Sequence, residues 1–246
     1  MSIRNRLEGR RLLPAIKPYD GNNNTQINEW GLNIDLYPHQ KKSVLRMEVL
    51  EKQRKREYSD ENGSISIESK FGILNDKVGS GKTLMCVSLI SREVNSPSYK
   101  HTIEDKQIND TVAIQGNSIY SMIKKKTSTY TFFPVTVIAV NNSVIYQWKS
   151  ELEQSNLLFK IVTRNMEIDQ LSSYIENVHV IVVSKTIYNR FANEFKILAL
   201  SETRDKEYCV KRLIVDEYCR RGSFPEIKHD FCWLITATIP TIYDND

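Results

Sequence analysis

The stretch Gly79-Ser80-Gly81-Lys82-Thr83 has the residue types and order of a phosphate cradle. An apolar run, Phe71 to Leu74, leads into it, and Leu84 to Ile90 continues as an apolar, helix-compatible run. Small residues between a strand and a helix let successive backbone N–H groups curl into an anion nest at the helix N-terminus. Gly79 and Gly81 can take dihedrals that a Cβ would forbid. Asp76, Lys77, Val78, Gly79, Ser80, Gly81, Lys82 and Thr83 are therefore the expected nucleotide-binding residues. Lys82 would reach the outer phosphates as a point charge, and the Thr83 hydroxyl would sit on Mg²⁺. The usual eight-residue pattern begins with glycine, and here that place is Asp76. The competing reading is an ordinary strand-turn-helix, although GSGKT between an apolar strand and an apolar helix is uncommon by accident.

Two more polar clusters follow apolar runs. KRLIVDEY delivers Asp216 and Glu217 at the end of a predicted strand, and FCWLI runs into Thr236, Ala237 and Thr238. An aspartate so placed can hold Mg²⁺ through its water shell, and a neighbouring glutamate can orient or deprotonate an attacking water. The bland alternative is that two carboxylates merely end a strand. It loses weight downstream of a phosphate loop.

The elements that must position these clusters alternate along the chain. Pro38 suits the first turn of a helix in which Val44, Met47 and Leu50 form an inward stripe. KQRKR, from Lys52 to Arg56, is either a solvated face or a phosphate contact. Ser59 to Lys70 reads as a loop or hairpin with Asn62-Gly63 as its turn. Asn95 to Thr131 is polar and weakly patterned, and is expected to be a surface insertion. Val135 to Val140 reads as a strand buried on both faces. Ser143 then caps a helix carrying Val144, Ile145, Trp148 and Leu152 on one face. Phe159 to Val162 reads as a short strand, and Leu171, Tyr174 and Ile175 as a helix. Val178 to Val183 reads as a strand, Lys185 to Leu200 as a helix, and Leu213 to Val215 and Phe231 to Ile235 as strands. Such alternation predicts an α/β fold, a parallel sheet flanked by helices, with right-handed crossovers. Ligands of these sheets gather at the carboxyl ends of the strands. All three polar clusters fall there.

Composition bounds the rest. The chain has 246 residues, 40% hydrophobic and 26% charged, with 9 Gly and 7 Pro, which is globular. Its net charge of +4 permits a nucleic-acid partner without arguing for one. Cys86, Cys209, Cys219 and Cys232 show no metal-ligand spacing, which suits thiols in a reducing compartment. The basic start, MSIRNRLEGRRLL, lacks the apolar core of a secretory signal, and no run is long enough to span a bilayer. A soluble intracellular protein of cytoplasm, nucleus or virion is expected. The Asn-rich residues 1–35 are expected to form a partly disordered arm, pinned by alternating Trp30, Leu32, Ile34 and Leu36.

The ordered set resembles the first RecA-like domain of a superfamily 2 helicase, nearest the SNF2-like or DEAD/H-box translocases. Tyr37-Pro38-His39-Gln40 resembles the family's glutamine motif, which implies that Gln40 contacts adenine. DKVGSGKT resembles motif I, where an acidic or small residue commonly takes the place of Asp76. VIAVNNSVIYQWKSEL resembles motif Ia of the SNF2-like branch, and VIVVSKTIYNRF the next motif that faces the nucleic-acid backbone. The resemblance so implies nucleic-acid contacts from Asn141, Gln147, Ser184 and Lys185. VDEY resembles motif II, with Asp216 on Mg²⁺ and Glu217 on water. TAT, Thr236 to Thr238, resembles the motif that couples hydrolysis to movement. Tyr218 and Cys219 depart from the family's pattern, and a thiol cannot supply a charged or imidazole partner to motif III.

The resemblance covers residues 36–246 as one RecA-like ATP-binding domain and implies ATP and Mg²⁺ as cofactors. No second RecA-like half follows before Asp246, so a longer parent chain or a partner is expected to supply it. Three functions stay open. The first is the ATP-binding half of a nucleic-acid-dependent ATPase. The second is a catalytically weak, helicase-like scaffold in a transcription or packaging complex. The third is a phosphate-loop enzyme of another class, such as a small-molecule kinase, against which the motif Ia likeness and the lack of a recognisable lid argue. The Gln147-Trp148 helix leans towards DNA over RNA, and the Asn-, Ile- and Lys-rich composition suits an AT-rich genome, such as that of a large DNA virus.

Overall fold

The computed structural model describes residues 27–60, 63–114, 122–200, 207–217 and 227–237. Residues 1–26 of the expected arm, the Asn62 turn position, Tyr218, Cys219 and Thr238 lie outside the described residues. Six strands run parallel in the order β3 (Phe71–Asn75), β9 (His229–Thr236), β8 (Glu207–Asp216), β5 (Met122–Val140), β7 (Val180–Ser184) and β6 (Phe159–Val162). A seventh, β4 (Glu104–Ile114), pairs antiparallel with the first part of β5. Separately, β1 (Lys55–Asp60) and β2 (Gly63–Glu68) form a two-stranded hairpin, which begins earlier than the Ser59 expected from sequence.

Helices cover both faces, giving three αβα layers. On one face lie α1 (Pro38–Gln53), α2 (Lys82–Val94) and α3 (Ile145–Leu152), whose apolar residues share a core with Ile138 and Val140 of β5. On the other lie the short α4 (Asn165–Asp169) and α5 (Leu171–Tyr174) and the longer α6 (Tyr188–Leu200), packed on Val137 and Ala139. Period-2 alternation along β5 therefore feeds two cores, which is why every residue of VTVIAV is buried and all but Thr136 are apolar.

Local chemistry explains several boundaries. Pro38 occupies the first turn of α1, and the side-chain oxygen Oε1 of Gln40 accepts the Tyr37 N–H at 2.9 Å as a cap. Pro134 sits where the β5–β8 register shifts between Phe133 and Thr136, a place where its missing N–H costs no ladder bond.

Three sequence expectations are corrected. Ser143 caps nothing: it lies inside a 3₁₀ turn, Asn142–Val144, that precedes α3. Leu171, Tyr174 and Ile175 are buried as expected, but α5 ends at Tyr174 and a 3₁₀ turn takes over. Ile34 is 39% exposed while Trp30, Leu32 and Leu36 are buried, so the arm is not a simple alternating strand. The Asn28 side chain bends it by accepting the Trp30 and Leu32 N–H groups. The weakly patterned stretch 95–131, expected as a surface insertion, holds β4 and the start of β5, paired from Glu104 with Phe132 to Ile114 with Met122.

A layer of charge closes the face beneath α1 and α2, on the side away from the Gly79–Gly81 loop. Arg212 in β8 is 1% exposed; its guanidinium donates to Glu51 at 2.6 and 2.5 Å, to Glu93 at 2.8 Å and to Thr136 at 3.1 Å. The Trp233 indole also donates to Glu51, at 2.6 Å. Nearby, Arg54 holds Asp230 with both terminal nitrogens, so at least this member of the basic run serves an internal ion pair. Glu51, Arg54, Glu93, Arg212 and Asp230 line a cavity of about 920 Å³.

Burial pushes the Glu93 carboxyl up, but Arg212 and Lys211 override it and bring it down to about 2, from an ordinary 4.5. A carboxylate whose folded value is depressed contributes stability above its unfolded value and loses it as pH falls through the folded one. Wild-type stability is thus expected to decline between about pH 4.5 and pH 2. Glu93→Gln should flatten that part of the profile in urea unfolding measured against pH.

Candidate functional site

Strand register brings the three polar clusters to one edge. Asn75 at the end of β3 pairs with Thr236 of β9, and Asp216 at the end of β8 pairs with Ile235. Ala139 pairs with both Val215 and Val183, and Val140 with Ser184. The carboxyl ends of β3, β9, β8, β5 and β7 are therefore level. Lys82 and Asp216 share that edge, with one strand between their own.

The glycine-bearing loop joins β3 to α2. Gly79 and Gly81 have φ of +80° and +81°, and Gly81 is the N-cap of α2. A Cβ at Gly81 would lie 2.2 Å from the Gln40 amide nitrogen, so the position is restricted by contact as well as by dihedral. That amide donates to the Ser80 carbonyl at 2.9 Å, and a His39 ring nitrogen lies 3.4 Å from the same oxygen. Gln40, expected to read adenine, is 4% exposed and joins the cap of α1 to the loop. The Lys82 ammonium lies on the loop's own carbonyls, donating to Asp76 at 2.6 Å and Lys77 at 2.8 Å. The Asp76 carboxylate accepts the Lys77 N–H at 2.8 Å. Val78 is 87% exposed at the tip.

Opposite the loop stands the acidic turn. The Trp148 indole donates to Asp216 Oδ2 at 2.7 Å. Lys185 Nζ donates to the main-chain carbonyls of Asp216 at 2.5 Å and Glu217 at 2.9 Å. Glu217 has φ of +49°, a left-handed conformation rare for a residue with a Cβ. The two ammonium contacts to its flanking carbonyls hold it there, and its side chain is exposed to solvent. Asn141 Nδ2 lies 3.5 Å from a Glu217 carboxylate oxygen.

One helix spans the space between loop and turn. Gln147 of α3 approaches the Thr83 hydroxyl at 3.5 Å, while its neighbour Trp148 holds Asp216. Burial raises the Asp216 pKa and Glu217 adds to the rise, against the lowering effects of the Trp148 N–H and Lys185. A cation beside Asp216 would reverse that balance. The donors are hard oxygens, the Thr83 hydroxyl and the Asp216 carboxylate, and they fit Mg²⁺ that keeps most of its water and takes phosphate oxygens. Among the described residues, no cluster of three or more His, Cys, Asp or Glu could hold a metal unaided.

Of the residues expected at the nucleic-acid backbone, Ser184 is buried and Lys185 half-buried. Ser184 is 0% exposed, with its hydroxyl bonded to the Asn142 side chain and, at 2.7 Å, to Thr186. Lys185 is engaged by the acidic turn, as above. Thr236 is 6% exposed at the end of β9, and Ala237 follows it. Trp148 as partner of Asp216 was invisible to sequence reasoning. It is 68 positions away and falls on an amphipathic stripe, where tryptophan reads as core.

No protein-family model matches the chain, and no curated protein matches it. The structure is similar to the Sulfolobus solfataricus SWI2/SNF2 ATPase core solved in complex with dsDNA, with a TM-score of 0.51 and 17% identity. The likeness covers 87% of this chain and 34% of that one, so the chain spans about a third of the solved core's length. Among the described residues, no helix is long and apolar enough to cross a membrane. The chain shares the three-layer αβα fold of the part of that solved core with which it aligns.

Proposed function

We propose that the chain is the ATP-binding half of a nucleic-acid-dependent ATPase of the helicase or translocase type. The observation that carries this reading is the placement of Thr83 and Asp216 at the two ends of one side-chain bridge, beside the Gly79–Gly81 loop. The main chain from Asp76 to Gly81 and the Lys82 ammonium would hold the triphosphate. Lys82 has only to leave two carbonyls for a far stronger anionic partner. Thr83 and Asp216 would hold Mg²⁺, which screens phosphate charge. Glu217, exposed beside them, would orient or deprotonate the attacking water.

The adenine would lie at the Tyr37–Gln40 segment, whose Gln40 already touches the loop. Asn141 and Gln147, at the carboxyl edge, are the better placed of the four proposed nucleic-acid contacts. Ser184 and Lys185 would act from behind them. Thr236 and Ala237 would couple hydrolysis to movement. Double-stranded DNA is the proposed polymer, supported by the dsDNA in the similar solved complex. A second RecA-like half, in a partner or a longer chain, would add the remaining nucleotide contacts and an arginine finger, a group contributing on the order of 10³ to 10⁵ in rate. The buried free thiols Cys86, Cys209 and Cys232 support a reducing, intracellular compartment.

Lys82→Ala is expected to weaken Mg-ATP binding at least tenfold in calorimetry. Unchanged affinity would reject the phosphate-loop assignment. Glu217→Gln should keep Mg-ATP affinity within about twofold and lower DNA-stimulated turnover by about a hundredfold or more, as loss of a general base does. Binding without turnover in the wild type, even with DNA and the second half supplied, would favour the scaffold reading.

A further inference from the structure

The contact between Trp148 and Asp216 joins a residue with no assigned role to the carboxylate on which metal binding turns. Trp148 is 0% exposed, in a helix whose other buried residues are Ile145 and Leu152. Its ring is fixed by packing on every side, so its one N–H has one available direction. That N–H meets Oδ2 of Asp216 at 2.7 Å, within the range of charge-assisted hydrogen bonds. The preceding residue, Gln147, reaches the Thr83 hydroxyl. Two consecutive residues of α3 thus touch the two side chains best suited to hold Mg²⁺.

We propose that Trp148 is a positioning residue for the metal-holding carboxylate, and that α3 sets the separation of Asp216 from Thr83. The inference rests on the ATP-binding reading above. The chemistry of the donor favours it. An indole offers one hydrogen and no lone pair, so it cannot compete for the metal. It is neutral, so it orients the carboxylate without cancelling the charge that the cation needs. With Oδ2 occupied, Oδ1 is the oxygen left for a metal-bound water or the metal itself. Lys185 donates to the main-chain carbonyls of Asp216 and Glu217, and its charge lowers the Asp216 pKa, which favours the ionised carboxylate a cation needs. Outer partners of this kind commonly tune metal affinity by 10- to 100-fold.

The test is Trp148→Phe, which removes the donor and keeps most of the ring, measured by ATP binding against Mg²⁺ concentration and again in EDTA. Half-saturating Mg²⁺ is expected to rise about tenfold or more while metal-free ATP binding stays within about twofold. An unchanged Mg²⁺ requirement overturns the proposal. So does an equal loss with and without Mg²⁺, which marks a merely structural role. Should that variant fold poorly, the wild type serves in its place. The chain has 3 tryptophans, and one indole ¹⁵N–¹H resonance should move in Asp216→Asn and on adding Mg-ATP to the wild type. Indole resonances that stay put in both cases overturn the proposal. A wild type that binds no Mg-ATP removes the reading beneath it, an outcome distinct from the others.

Discussion

Everything at the carboxyl edge depends on the parallel register of β3, β9, β8 and β5. Each strand alone delivers a polar tip. Only level pairing puts Asn75, Thr236, Asp216 and Val140 on one line, and the phosphate loop and acidic turn are continuations of that line. Neighbouring strands lie about 4.8 Å apart, so the loop after β3 and the turn after β8 are roughly 10 Å from each other. That gap suits a metal-bound phosphate chain and is too wide for direct contact. The α3 helix fills it from the side, with Gln147 toward one bank and Trp148 toward the other.

Much of this was legible because hydrophobic pattern specifies strands buried on both faces. VTVIAV, VIVV and FCWLI announced themselves, and the glycines of GSGKT announced a turn that only certain dihedrals allow. What was not legible has physical reasons. The sequence of the β4–β5 ladder is largely polar, so period-2 alternation gives no signal there. Ser143 reads as a cap because serine favours that place, but a 3₁₀ turn closed by backbone bonds to Asn141 and Asn142 puts Val144 at the N-cap instead. Ser184 and Lys185 stand at a strand end, where sequence order cannot tell which partners each side chain takes: Asn142 and Thr186 for the one, the Asp216 and Glu217 carbonyls for the other. No pattern in the sequence joins Trp148 to Asp216, because the contact exists only after two crossovers have been made.

The loop is held from outside as well as by its own glycines. Gln40 links the first turn of α1 to Ser80, and the absence of a side chain at Gly81 is what admits the link. A segment far upstream thus stiffens the cradle, and α1 is in turn anchored through Glu51 and its C-cap Arg54 to Arg212 of β8 and Asp230 of β9. Cradle and charged layer are opposite ends of the same helix.

Arg212 and Asp216 belong to one strand, four residues apart, and so face the same side of the sheet. Sliding β8 by a single residue would turn both over, and sliding it by two would carry the guanidinium out from between Glu51 and Glu93. Either shift strands a buried cation, at a cost of several kcal/mol. The ion pairs at the quiet end of the molecule therefore act as a key in a lock: they admit one alignment of the strand, and in that alignment the aspartate at its other end looks towards α3.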